Sequence, residues 1–308
     1  MNNKEKETLE ESVKRNLGQN IKTIDENDTF NFHCVQCGQC CMNRRDIILN
    51  PFDVYNGAKY LGITCKEFFS KYCYTTLGAN SKIPMVLLET SDNGYCPLLK
   101  FDVKDGGKFK CTINPAKPGA CSNHPIGVCF SINQETNDIE NIQYIKTEQC
   151  PNSKSDEEHV VKDWVKPYTD HLDEINASHH VQHYITSFID PKMFLYMCKY
   201  FTEPILQEKD ESKITEEDKK LFTLFTALMR VVIDSTINIG YLSYDTNKPF
   251  VEQTETVLKD LKDIYEHCKH IYEKTKQSFE ESPAEDIGVE YDKTFESFLK
   301  IVVGREED

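Results

Sequence analysis

Two patterns of apolar spacing divide the chain. From residue 30 to about 150, apolar positions come in short β-branched or alternating runs, broken by Gly, Pro and Asn. Beyond about 155 they recur at steps of three and four. In the first half, Asn50-Pro51-Phe52-Asp53 predicts a helix start, with Asn50 as N-cap and Pro51 at the first position. That helix carries Val54, Tyr55, Ala58 and Leu61 inward and ends at Gly62. Thr64 and Glu67 predict a capping box for a second helix, which holds Cys65, Phe68, Phe69, Tyr72 and Cys73. Ile83–Leu88 predicts a strand. Tyr95–Val103 and Phe109–Ile113 predict a hairpin around Asp105-Gly106-Gly107, with one cysteine, Cys96 or Cys111, on each arm. A stiff loop with three prolines spans Asn114–Pro125. Gly127–Ile132 and Ile139–Lys146 predict two further strands.

After Cys150-Pro151, Ser155 with Glu158 predicts the start of a helix containing Val160, Val161 and Trp164. Helical spacing continues over His171–Ile189 and Pro191–Leu206. It runs on over Leu221–Ile237 (capped by Thr215 and Asp218), Phe250–Phe279 and Phe295–Val303. The expected class is α+β: a small cysteine-rich α/β domain at 30–152, then an all-helical domain at 153–304. Residues 1–29 read as a lead-in and 305–308 as a tail.

Charge and cysteine content reinforce the break near 150. Of the net charge of -15, residues 1–150 carry almost none, with 17 Lys and Arg against 18 Asp and Glu; the remainder has 19 against 33. The acidic half argues against non-specific binding to nucleic acid or anionic membranes and is compatible with a basic protein partner. A solvated helical surface explains it as well. No apolar run approaches a bilayer span and no secretory pattern opens the chain, so a cytoplasmic, reducing setting is expected. In that setting 13 cysteines, 11 of them at or before Cys150, point to metal rather than disulfides.

The densest chemistry is Cys34-Val35-Gln36-Cys37-Gly38-Gln39-Cys40-Cys41, a C-x2-C-x2-C-C pattern. Gaps of two residues let successive thiolates converge on one metal, and Gly38 permits the tight bend. Cys65, Cys73 and Cys129 sit within helix or strand patterns and read as structural. His179-His180-x-x-His183, and His267 and His270 around Cys268, lack the carboxylate of an H-E-x-x-H site and read as ordinary helix-face histidines. Arg44-Arg45 is the basic spot beside the cluster. No Walker A, dinucleotide-binding glycine pattern or G-x-S-x-G elbow is present.

Several motifs in order extend the cluster. These are Asn50-Pro51-x-Asp53, Gly94-Tyr95-Cys96-Pro97-Leu98-Leu99, Cys111-Thr112-Ile113, Lys117-Pro118-x-x-Cys121-x-x-His124-Pro125 and Cys150-Pro151. Over about residues 32–152 this set resembles the YkgJ-like cysteine-cluster family, a CxxCxxCC zinc- or iron-chelating domain that includes proteins similar to flagellin lysine N-methylases. In that family the loop usually reads Arg-Pro-x-x-Cys-Arg-x-Phe/Tyr-Pro. Here Lys117, Ser122 and His124 depart from it.

The resemblance implies a ligand set of Cys34, Cys37, Cys40, Cys41, Cys96, Cys111, Cys121 and Cys150. Eight thiolates suit two four-cysteine sites, or one cluster with spare cysteines. An iron–sulfur cluster and zinc are both compatible, and Cys34, Cys37, Cys40 and Cys150-Pro151 follow a ferredoxin-like order. The first gap excludes a C-x3-C-x2-C pattern. Three functions are therefore expected as alternatives: a metal-binding cysteine-cluster protein, an S-adenosylmethionine-dependent protein lysine N-methylase, and a non-catalytic interaction module. An acidic cleft would suit a lysine substrate.

Overall fold

The computed structural model describes residues 22–42, 44–77, 84–91, 93–104, 106–146, 155–188, 214–216, 219, 223, 227 and 233–280, with side chains as far as 266. The described chain mixes helix and strand and divides into two compact units. One comprises Met1–Cys73 and Leu87–His180, the other Tyr74–Val86 and Val181–Asp308.

Both predicted helix starts of the first unit form. Helix α1 (Pro51–Leu61) has a complete capping box between Asn50 and Asp53, and Gly62 closes it at φ 66°. Helix α2 (Cys65–Tyr72) has the same box between Thr64 and Glu67. Helix α2 packs against α1, and Gly57 makes that close approach possible. A Cβ there would stand 2.6 and 2.7 Å from Cε2 and Cζ of Phe68, which is fully buried. Gly57→Ala is therefore expected to destabilise by roughly 1–3 kcal/mol through overpacking. This reverses the gain of about 1 kcal/mol that alanine brings to a helix interior. Urea denaturation checks the sign.

Strands β1 (Lys22–Ile24) and β2 (Thr29–Asn31) precede these helices. The short β3 (Ile48–Leu49) leads into α1. Helix α2 ends at Cys73, which opens β4 (Cys73–Leu77) rather than continuing the helix as expected. β5 (Pro84–Leu88) follows the prediction, and Leu88 N–H donates to the Ile47 carbonyl. The hairpin is shorter than predicted, with β6 (Leu99–Asp102) against β7 (Lys108–Cys111). Cys96 therefore stands ahead of β6 instead of on it. The short helix α3 (Gly119–Ser122) lies within the proline loop. β8 (Ile126–Ile132) and β9 (Ile139–Lys146) pair antiparallel, and β1 adds to the other edge of β9. Part of the expected lead-in is thus sheet.

The region after 152 is not all helix. Glu158–Val160 forms β10, antiparallel to β2, and α4 (Val161–Thr169) begins only afterwards. Local capping signals lost here because β2 offers an unpaired edge. Phe30 and Phe32 then join Val161 and Val165 of α4, with Ile126 and Tyr144, in one buried core; Trp164 packs against it. Helix α5 (Leu172–Phe188) follows, and its Ser178 hydroxyl accepts from Phe52 N–H at 2.9 Å. Helical residues expected in a separate domain thus complete the unit that holds the cysteines.

In the second unit a π-helical turn spans Ser235–Ile239, and α6 (Phe250–Glu280) matches the predicted long helix. Its stripe buries Val257, Leu261 and Tyr265, with Tyr265 stacked on Tyr184. The predicted helices at Pro191–Leu206 and Phe295–Val303, and most of Leu221–Ile237, lie outside the described residues. No described helix is long and apolar enough to cross a membrane.

Candidate metal centre

Five of the eight expected ligands converge. A cavity of about 70 Å³ is lined by Cys40, Cys41, Cys96, Cys111 and Cys121, together with apolar residues such as Ile47, Leu88, Leu98 and Ile113 and the polar Arg44, Glu89, Thr90, Lys117 and His124. Cys34 is exposed, and neither it nor the half-buried Cys37 lines the cavity. Cys150 lies outside the described residues. Cys65 and Cys73 are buried elsewhere, and Cys129 is half-buried on β8.

The five arrive by four separate local devices. Gln36 at φ 55° and Gly38 at φ 75° turn the chain into a single 3-10 turn, Gln39–Cys41, where Cys41 N–H donates to the Gly38 carbonyl. Gly38 also has no room for a side chain, since a Cβ would meet Phe109 at 3.0 Å. Cys96 is tied directly to this turn, as its N–H donates to the Cys41 carbonyl at 3.0 Å and Met42 bridges Tyr95. The end of β7 supplies Cys111, and the hairpin is joined to the cluster where Phe109 N–H donates to the Gln36 carbonyl.

Cys121 is delivered by α3, and Asp53 explains how. Its two carboxylate oxygens divide their work: Oδ2 accepts from Asn50 N–H at 3.0 Å, closing the cap, and Oδ1 accepts from Gly119 N–H at 3.2 Å. The Asn50-Pro51-x-Asp53 motif is thus both a helix start and a clasp for the proline loop. Tyr168 covers the same point. A Cβ on Gly119 would lie 2.4 Å from its Cζ, and its hydroxyl accepts from Asn50 Nδ2. At the far end, Trp164 Nε1 donates to the Asn123 carbonyl at 3.1 Å. Sequence patterns alone showed the cap but not the clasp, because the partner lies 66 residues away.

The thiols are electrically coupled. Cys40 and Cys41 have sulfurs 3.8 Å apart. That matches the edge of a tetrahedron whose sulfurs sit about 2.3 Å from its centre. The hydrogen bond with Cys41 holds the Cys40 thiol down to about 6, with Lys117 and Arg44 helping, and pushes Cys41 up. Burial pushes Cys121 up to about 12, with further repulsion from Cys96 and Cys111. Burial likewise raises Cys96 and Cys111, partly offset by backbone N–H groups of Leu98 and Leu99 aimed at the first sulfur and of Ile113 at the second. Several thiolates in one buried space can coexist only beside a compensating cation, and the aimed N–H groups favour the ionised sulfurs. The donor set therefore fits a metal. Among the described residues no three histidine, cysteine, aspartate or glutamate side chains already stand at coordinating spacing, so closing the shell requires side-chain rotation.

This chemistry fixes a pH dependence. Metal must displace protons from thiols whose affinity for them is raised, so apparent metal affinity falls as pH falls. Each displaced proton contributes about tenfold per pH unit. Chelator competition at two pH values one unit apart measures the number; an affinity independent of pH would remove these thiols from the site.

Residues 33–151 match the model of the CxxCxxCC family, described as "Putative zinc- or iron-chelating domain". The matched segment includes all five cysteines of the cavity and the Asp53 clasp. No curated protein and no solved structure matches the chain.

Proposed function

We propose that the CxxCxxCC domain at residues 33–151 holds a protein-bound iron–sulfur cluster in the cavity formed by Cys40, Cys41, Cys96, Cys111 and Cys121. The convergence of five thiols on one cavity carries this reading. Four of the five sulfurs meet the four-cysteine requirement of a cluster, as they would that of zinc, and one is to spare. The room supports it too, since the cavity's volume of about 70 Å³ is several times the roughly 10–15 Å³ needed for one water-sized occupant. Arg44 and Lys117 line the same cavity and offset the negative charge that thiolates bring. The cluster would supply one-electron chemistry and structural stability. Cys34, exposed and outside the cavity lining, serves in this reading as an accessory thiol rather than a founding ligand.

The test is anaerobic purification followed by elemental analysis, sulfide assay and a visible spectrum. The expected result is about four irons and matching sulfide per chain, with a broad absorbance that dithionite bleaches. A colourless protein with stoichiometric zinc would overturn the iron assignment and leave a zinc centre in the same cavity.

A further inference from the structure

One polar atom in the cavity has no account in the cysteine scheme. His124 lines the cavity beside the five thiols, and its Nε2 is buried without a hydrogen-bond partner. Folded proteins leave few buried polar nitrogens unpaired, and an unpaired one calls for an unseen partner. The loop that carries the ring is held on both sides. Phe32 stands against the ring at 6.0 Å in an edge-on arrangement, and the preceding residue is fastened through its carbonyl to Trp164. Asn123 N–H also donates to the Gly119 carbonyl, and Ile126 N–H to that of Asn123, so the backbone on both sides is tied.

Arg44 and Lys117, both cationic, bear on His124, and the Glu89 carboxylate lines the same cavity. Burial first, and then these two cations, lower the ring's affinity for a second proton, which favours the neutral form that ligates metal. A neutral ring with its proton on Nδ1 presents a lone pair at Nε2. Neither an arginine nor a lysine in the cavity supplies a second soft or borderline donor, whereas imidazole nitrogen and thiolate sulfur together suit zinc and iron alike.

We propose that His124 Nε2 is a nitrogen ligand of the metal centre, which thereby has mixed thiolate–imidazole coordination. This rests on the metal-centre reading above and holds for either metal. Neutral imidazole in place of a thiolate removes one negative charge from the shell. In an iron–sulfur cluster that change raises the reduction potential.

X-ray absorption of the full-length protein, at the edge of whichever metal it carries, tests this without a variant. The expected spectrum contains a nitrogen shell with imidazole outer-shell scattering among the sulfurs. His124→Cys is expected to keep the metal, lose that scattering and, for a cluster, lower the midpoint potential. His124→Phe is expected to release metal to a chelator more than about tenfold faster, since even outer-shell losses cost that much. Sulfur-only coordination in the wild-type protein would overturn His124 ligation and leave the metal centre standing. If the wild-type protein holds neither iron nor zinc, even after reconstitution with ferrous iron and sulfide or with zinc, both proposals fall.

Discussion

Cys121→Ser is expected to strip the protein of most of its metal. Cys121 sits deepest among the coupled thiols, its proton held by burial and by Cys96 and Cys111. Its backbone is fixed on one side through Gly119 and on the other through Asn123. Serine cannot ionise near neutral pH and is a poor ligand for soft metals. Because the binding energy of a structural metal is also folding energy, with apparent values of about 10–16 kcal/mol for zinc in small domains, the loss should also lower thermal stability sharply. Metal per chain after gel filtration against a chelator, together with a melting curve, measures both effects. Cys129→Ser, on β8 and away from the cavity, should keep wild-type metal. Full metal retention by Cys121→Ser would show that the centre lies elsewhere.

Asp53→Ala should be the most damaging substitution outside the cysteines. It removes the Asp53 half of the α1 capping box, while Asn50 keeps its own bond to the residue-53 N–H, and leaves the part-buried Asn50 N–H and the buried Gly119 N–H without their acceptor. Each donor left unsatisfied costs about 1–3 kcal/mol. A total of roughly 3 kcal/mol is expected, read from urea unfolding. Metal retention should fall as well, since the clasp on the Cys121 loop is gone. The wild-type carboxyl adds a pH signature. Burial pushes Asp53 up to about 7, against two backbone hydrogen bonds that pull it down. Its folded value exceeds its unfolded value of about 3.9. The folded state therefore binds the extra proton between those limits, and the stability this group contributes falls as pH rises from about 4 to about 7. Asp53→Ala should lack that slope; an identical slope in both proteins would assign it to another group.

The helix starts at Asn50 and Thr64, the long amphipathic α6 and the β8–β9 pair were legible because their signals are local: a cap and its partner three residues on, or an alternation over one strand. The cysteine pattern, read without any coordinates, also located the site's chemistry. It did not show which cysteines meet. Spacing treated Cys34, Cys37, Cys40 and Cys41 alike, yet the positive-φ turns at Gln36 and Gly38 separate them, leaving the first two out of the cavity. Motif proximity along the chain is not proximity at the site when the backbone reverses within it.

What the amino-acid sequence determined by itself was a cysteine-rich, mixed helix-and-strand segment with metal chemistry, because ligand type, caps and periodicity depend on neighbours a few residues apart. Tertiary structure alone decided three other things. The edge of β2 captured Glu158–Val160 as a strand against its local helix signals, since an unpaired strand edge is satisfied only by another strand. Asp53 became a clasp because α1 brings its second oxygen within reach of Gly119 N–H, a pairing no local pattern encodes. His124, which the sequence places in the proline loop, gained an orphaned buried nitrogen among five thiols because Phe32, just past β2, and Trp164 of α4 pack against its loop beside the cavity.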